Sequence, residues 1–393
     1  MSAFLITLAV FAVGFVARPA GGLVFGWIGD RLGRKKSMTL SVSLIAGASF
    51  AIGISPTYAH VGWLASAILV TARLAQGLAY GGEQPAAQAY LSEAAPPARR
   101  GLWSTLIYFS GTLGAVAGLV LGAVLAAALP KTDMLAWGWR IPFIIAGAGG
   151  LFAFSMRSRM RETEQFVTEI AAAPGTPAAP KPNLLAEIWQ HRRSAARVAG
   201  MTVGLTVVYY FWVVASSAYS IVVLKADPTH VLLASVAASL TFLIWLPLWG
   251  TLSDRIGRKP VMLTGILGSI AVIYPLSRLI DGNPVHLFAA LAGAMVFLAA
   301  PCAISPAIMC ELFPTRVRTA GVAVPLALAI AIFGGTTPYL QTWLSATAGP
   351  RAFIVYVIVL LAVSAVTVLT LPETRGRILD DTVDTGQAQP AVA

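Results

Sequence analysis

Long apolar runs alternate with short polar connections from the start of the chain to about residue 371. Crossing a bilayer takes roughly 20 residues of helix, and each run is long enough or nearly so. Eleven runs can be marked, at 4–28, 38–56, 62–91, 102–129, 139–156, 196–224, 230–252, 260–280, 285–312, 319–345 and 350–371. None alternates like a barrel strand. Backbone groups in lipid must then bond within their own segment, so the runs are predicted helices. The expected fold class is an all-α polytopic membrane protein.

One sizeable polar stretch interrupts the pattern at 157–195. It opens with Arg157, Arg159, Arg161, Glu162 and Glu164, then turns rich in proline and alanine around Pro174, Pro177, Pro180 and Pro182. Such a stretch cannot bury a core and predicts a linker. It divides an N-terminal bundle of five spans (1–156) from a C-terminal bundle of six (196–371), followed by a tail (372–393).

Composition supports this division between lipid and water. The chain is 57% hydrophobic and only 11% charged, against about 25% charged in a soluble domain. The net charge of +11 would suggest nucleic acid on a soluble protein. Here 20 of the 27 basic residues lie in or beside alternate connections, five lie on the other side, and Arg18 and Arg73 lie within spans. The positive-inside rule places the rich side, with the tail, in the cytoplasm of a bacterial inner membrane. The lipid bilayer is therefore the expected partner, and nucleic acid is not. Cys302 and Cys310 share one apolar run and read as buried thiols. No metal-ligand spacing, P-loop or nucleophile motif appears, so neither a cofactor nor an enzyme is expected.

The two halves repeat. Gly26-x-x-x-Asp30-Arg31-x-Gly33-Arg34-Lys35 recurs as Gly250-x-x-x-Asp254-Arg255-x-Gly257-Arg258-Lys259, at an offset of 224. Glu93, Pro96 and Arg100 recur as Glu311, Pro314 and Arg318, at an offset of 218. The two aspartates are placed to accept hydrogen bonds from facing helix N-termini. The arginines are placed to pair with Glu93 or Glu311, and glycine permits the tight turn. We read Asp30, Arg31, Arg34, Glu93, Arg100, Asp254, Arg255, Arg258, Glu311 and Arg318 as a gate that latches the cytoplasmic side.

These duplicated loops resemble the major facilitator superfamily, whose fold is two pseudo-symmetric helical bundles. Five further strings narrow the resemblance to the metabolite:proton symporters, nearest the alpha-ketoglutarate and citrate permeases. They are Gly14-Phe15-Val16-Ala17-Arg18-Pro19-Ala20-Gly21-Gly22, Arg73-Leu74-Ala75-Gln76-Gly77, Gly81-Gly82-Glu83, Trp137-Gly138-Trp139-Arg140-Ile141-Pro142-Phe143 and Ala331-Ile332-Phe333-Gly334-Gly335. The resemblance implies uptake of a small organic anion, a di- or tricarboxylate, with protons by alternating access, and a monomer is the expected state. It also implies twelve spans, and the first run here matches the family's second. That points to a start assigned downstream or to a truncated protein. Gln84-Pro85-Ala86-Ala87 after Glu83 departs from the family's aromatic and small residues. Alternative readings are a truncated, non-transporting or sensor-like member, and a symporter of betaine or proline, shikimate or an aromatic acid.

Ionisable groups deep in a bilayer are costly and should face a cavity or a partner. Arg18, Arg73 and Glu83 are the charges expected there. At about 1.5 Å per residue, Arg18 and Glu83 stand roughly 16 and 14 Å above the cytoplasmic helix ends. This predicts an Arg18–Glu83 pair, with Glu83 taking the coupled proton. Arg73, higher and without a carboxylate at its level, is expected to bind substrate, with Gln76 one turn away. In the second half, Tyr209, Tyr210 and Gln341 are the polar candidates for substrate contact, beside Ser216, Ser217, Thr336, Thr337 and Tyr339. The Gly111, Gly114, Gly118, Gly122 run predicts a close-packing face. It lacks the Gly-Pro element resembling antiporters, which favours symport.

Overall fold

The computed structural model describes residues 14–171 and 184–379. Among the described residues eleven long helices follow one another: α1 Arg18–Leu32, α2 Arg34–Gly53, α3 Trp63–Ala94, α4 Arg100–Ala128, α5 Ile141–Ser158, α6 Arg192–Val222, α7 Pro228–Ile256, α8 Arg258–Ser277, α9 Pro284–Glu311, α10 Thr315–Thr347 and α11 Pro350–Leu369. Nine helices among the described residues are long and apolar enough to cross a membrane. The other two of the eleven, α1 and α3, pack against each other and against α2. Shorter helices Glu164–Ala171 and Leu184–Gln190 lie in the central connection.

Glycine fixes the turns at both copies of the repeated loop. Gly33 and Gly257 each adopt φ 106°, a conformation that costs other residues steric strain. Each glycine separates one helix from the next, α1 from α2 and α7 from α8. A carboxylate caps the helix that follows. Glu162 accepts from the backbone N–H of Arg34 (3.1 Å) and Lys35 (3.2 Å). Glu373 accepts from those of Arg258 (2.8 Å) and Lys259 (3.1 Å).

Contacts between the halves follow the repeat. α1 crosses to α10 and α7 crosses to α4. The first glycine of each motif makes these crossings possible. A Cβ on Gly26 would lie 2.8 Å from Ala320 Cα, and one on Gly250 would lie 2.8 Å from the Gly101 carbonyl oxygen. Within the first half, Gly77 rests on Gly14 and Gly81 on the Arg18 carbonyl, so α1 and α3 meet backbone to backbone.

The largest apolar core lies wholly in the second half, from Val198 to Leu371. The first half holds a small cluster of Ala48, Ile52 and Ala72. Among the described residues, α4 buries side chains only along its first half, and α5 fully buries only Gly147. The glycine run of α4 does not pack as expected. A Cβ on Gly111, Gly114, Gly118 or Gly122 would meet nothing within 4 Å.

Both α6 and α10 contain a π-helical turn, at Phe211–Ala215 and Ile330–Gly334. Such turns redirect side chains within a continuous helix and are frequent at functional sites.

Candidate functional site

A cavity of about 380 Å³ lies between the halves. Arg18, Tyr80, Glu83 and Gln84 line it from the first repeat, with Tyr108 from α4 and Arg157 from the end of α5. Thr202, Thr206, Tyr209 and Tyr210 of α6 face them, with Cys302 and Ser305 of α9.

Four of the expected site residues meet here: Arg18, Glu83, Tyr209 and Tyr210. Their pairing differs from the expectation. Glu83 binds Arg157 at 2.7 Å rather than Arg18. Arg157 also donates to the Met38 carbonyl at 3.0 Å, which anchors it to α2. Arg18 stacks over the Phe15 ring at 3.9 Å and the Tyr80 ring at 5.1 Å. Its guanidinium donates to the Tyr210 hydroxyl at 3.4 Å, and its Nε is buried without a hydrogen bond. Among the described residues Arg18 forms no ion pair. Gly334, in the second π turn, holds Tyr210 in place: a Cβ there would lie 2.8 Å from the ring.

Arg73, Gln76 and Gln341 do not line this cavity. Arg73 donates to Gln76 (3.3 Å), which donates to Ser49 of α2 (2.9 Å), and the Arg73 guanidinium lies 6.0 Å from the Phe143 ring centre. This chain ties α3 to its neighbours α2 and α5. Gln341 lines a separate cavity at the other end of the second half.

The residues of the expected latch meet between the two halves. Asp30 accepts from the N–H groups of Thr319 (3.0 Å) and Ala320 (2.8 Å), at the start of the α-helical part of α10. Asp254 accepts from Gly101 (2.8 Å) and Leu102 (2.9 Å), at the start of α4. Each half thus caps a helix of the other. The glutamates are shared the same way. Glu93 takes Arg34 of its own half (3.2 Å) and Arg318 of the other (2.7 Å). Glu311 takes Arg258 of its own half (3.7 Å) and Arg100 of the other (3.1 Å). All four arginines and both glutamates are buried. Arg31 reaches Glu187 at 3.7 Å, outside this cluster. Arg255 is exposed and makes none of the latch contacts.

Sequence reasoning missed two parts. Arg157 read as the first residue of a polar linker, whereas α5 continues to Ser158 and aims it at Glu83. The helix caps Glu162 and Glu373 are a third repeated element. Their signal is the pair Glu162-Thr163 and Glu373-Thr374 at an offset of 211. Thr163 donates to Glu93 at 2.7 Å, joining this element to the latch.

Known proteins match nearly the whole chain. The family model for the Major Facilitator Superfamily matches residues 1–226 and 201–390. The alpha-ketoglutarate permease of Escherichia coli (strain K12) is 34% identical over 94% of this chain and 84% of its own length. A proline/betaine transporter of Salmonella typhimurium is 30% identical over 95% of this chain and 76% of its own. A citrate-proton symporter of Klebsiella pneumoniae is 30% identical over 89% and 78%. Among solved structures, a proton:xylose symporter bound to 6-bromo-6-deoxy-D-glucose superposes with a TM-score of 0.75 at 17% identity, covering 97% of this chain and 90% of that one. These relatives are transporters, not enzymes, and the chain belongs to the major facilitator superfamily.

Proposed function

We propose that the chain takes up a small organic anion with protons by alternating access, through the cavity between its halves. The latch face is read as cytoplasmic, and two bundles, 1–156 and 196–371, rock about that cavity. The observation that carries this reading is Arg18. A guanidinium that lines a cavity, rests on aromatic faces and has no described carboxylate partner suits a carboxylate from outside the protein. Tyr209 and Tyr210 complete the contact from the second half. Glu83 is the proton acceptor: protonation removes its charge and releases Arg157 to the Met38 carbonyl it already touches. A di- or tricarboxylate such as alpha-ketoglutarate or citrate fits the cation, and relatives are named for both.

A second reading has its own support. Tyr108, Tyr209 and Tyr210 stand edge to face, with ring centres 6.0 and 5.7 Å apart. Aromatic faces attract quaternary ammonium groups, so betaine would place its carboxylate on Arg18 and its cation on these rings. Reconstituted protein under an imposed pH gradient, offered labelled alpha-ketoglutarate, citrate and glycine betaine, separates the two. Uptake of none of them would remove the transport reading, and uptake unaffected by a protonophore would remove proton coupling.

A further inference from the structure

The face opposite the latch carries a second cavity of about 380 Å³, set within the second half. α8 runs from the latch loop to Ser277, so Arg278 lies at the far end of the bundle. α11 runs the other way and begins there, next to Arg351. Both arginines line the cavity, with Tyr219, Tyr274, Gln341 and Ser345. Arg278 donates to the Tyr274 hydroxyl at 3.3 Å, and Tyr274 lies close enough to Arg351 to feel its charge as well. No acidic residue lines the cavity, and neither arginine forms an ion pair among the described residues.

Gln341 is the independent observation. It is 7% exposed, lines the cavity and makes no hydrogen bond among the described residues. Its amide is not among the enclosed polar atoms, so it opens into the cavity and is available to an occupant. The two guanidiniums are out of place. This side holds only five of the chain's 27 basic residues, so membrane orientation does not account for two of them meeting at one cavity.

We propose that this cavity is a second anion site, distinct from the one at Arg18. Arg278 and Arg351 bind an oxyacid group at the mouth, and the Gln341 amide donates to it from within. Two cations at a mouth raise the local anion concentration and speed capture. The same chemistry has two sources. One is a free organic anion gathered on its way to the central cavity. The other is the phosphate of an acidic lipid at the membrane surface. The proposal stands whether or not the central cavity transports.

The full chain in phosphatidylcholine nanodiscs, titrated calorimetrically with citrate, gives the test. In an Arg18→Gln background one citrate site is expected to remain. Adding Arg278→Gln with Arg351→Gln should weaken it more than tenfold, and Gln341→Leu should weaken it with the thermal midpoint unchanged. In the second arm, phosphatidylglycerol is mixed into the nanodiscs. Retention of that lipid through purification, lost in the arginine double variant, assigns the site to lipid phosphate. If the double variant keeps its thermal midpoint and changes neither citrate binding nor lipid retention, there is no second anion site, whatever Arg18 does.

Discussion

Arg18 is held by rings rather than by a carboxylate. Its contacts with Phe15 and Tyr80 are cation–π in kind, each contributing about 0.5–2 kcal/mol. They fix the guanidinium without discharging it, which leaves its charge for a ligand. Arg18→Lys keeps the charge but loses the planar fork, so carboxylate affinity should fall about tenfold, and Arg18→Gln should abolish saturable uptake. Arg73→Gln should leave affinity intact while lowering the thermal midpoint, because its partner Gln76 ties α3 to Ser49. Glu83→Gln mimics the protonated state. Substrate should still bind, whereas uptake should no longer respond to the pH gradient. Persistent gradient dependence in that variant would take Glu83 out of proton coupling. The sequence placed Arg18 and Glu83 at one height, and both do reach one cavity. Helix rise gives height but not direction, so it could not show that Glu83 turns to Arg157 and Arg18 to Tyr210. Arg73 shows the same limit: its place along α3 does not tell that it turns to Gln76 and Phe143.

Helix contacts sort the glycines into two kinds. Gly77 of α3 sits against the backbone of Gly14, which leads into α1. Gly77→Ala forces those helices apart and should cost about 1–3 kcal/mol by overpacking. Gly114 on α4 meets nothing within 4 Å. Gly114→Ala should be neutral or stabilising, by at most about 1 kcal/mol of helix propensity. Thermal unfolding in detergent compares the two directly, and equal losses would contradict the packing described. The periodic spacing of Gly111 to Gly122 suggested a packed face because small residues at that spacing often meet another helix. Spacing establishes only that a close approach is possible. The glycines of the repeated loop were more readable. Duplication tied Gly26 and Gly250 to five further positions that recur with them, and both lie where α1 meets α10 and α7 meets α4. The π turns had no readable signal, since Phe211–Ala215 and Ile330–Gly334 lie inside unbroken apolar runs.

Across the whole molecule, the two halves are joined on one face by two matching sets of contacts. Asp30 and Asp254 each hold two backbone N–H groups of the opposite half. Hydrogen bonds to a charged group contribute about 1.5–3 kcal/mol each. The buried arginines around Glu93 and Glu311 add cost to any partial opening, because a charge stripped of its partner stays buried. The Glu311 side is the looser of the two. Arg258 stands 3.7 Å from Glu311 where Arg34 stands 3.2 Å from Glu93, and Arg100 stands 3.1 Å from Glu311 where Arg318 stands 2.7 Å from Glu93. Opening should therefore start where Arg258 and Arg100 meet Glu311. Cys302 reports it without an introduced cysteine, since it lines the central cavity and is 5% exposed. In a Cys310→Ser background, a membrane-impermeant maleimide should label Cys302 slowly from the latch face. Asp254→Asn removes the charge and one of the two acceptor oxygens that hold Gly101 and Leu102. Each 1.4 kcal/mol lost multiplies the ratio of open to closed about tenfold, so labelling from the latch face should rise at least tenfold and labelling from the opposite face should fall. Asp30→Asn should act in the same direction but less strongly, because the tighter Glu93 cluster remains beside it. Unchanged rates from both faces would mean that the closed face is held by helix packing, through Gly26 and Gly250, rather than by the charged contacts.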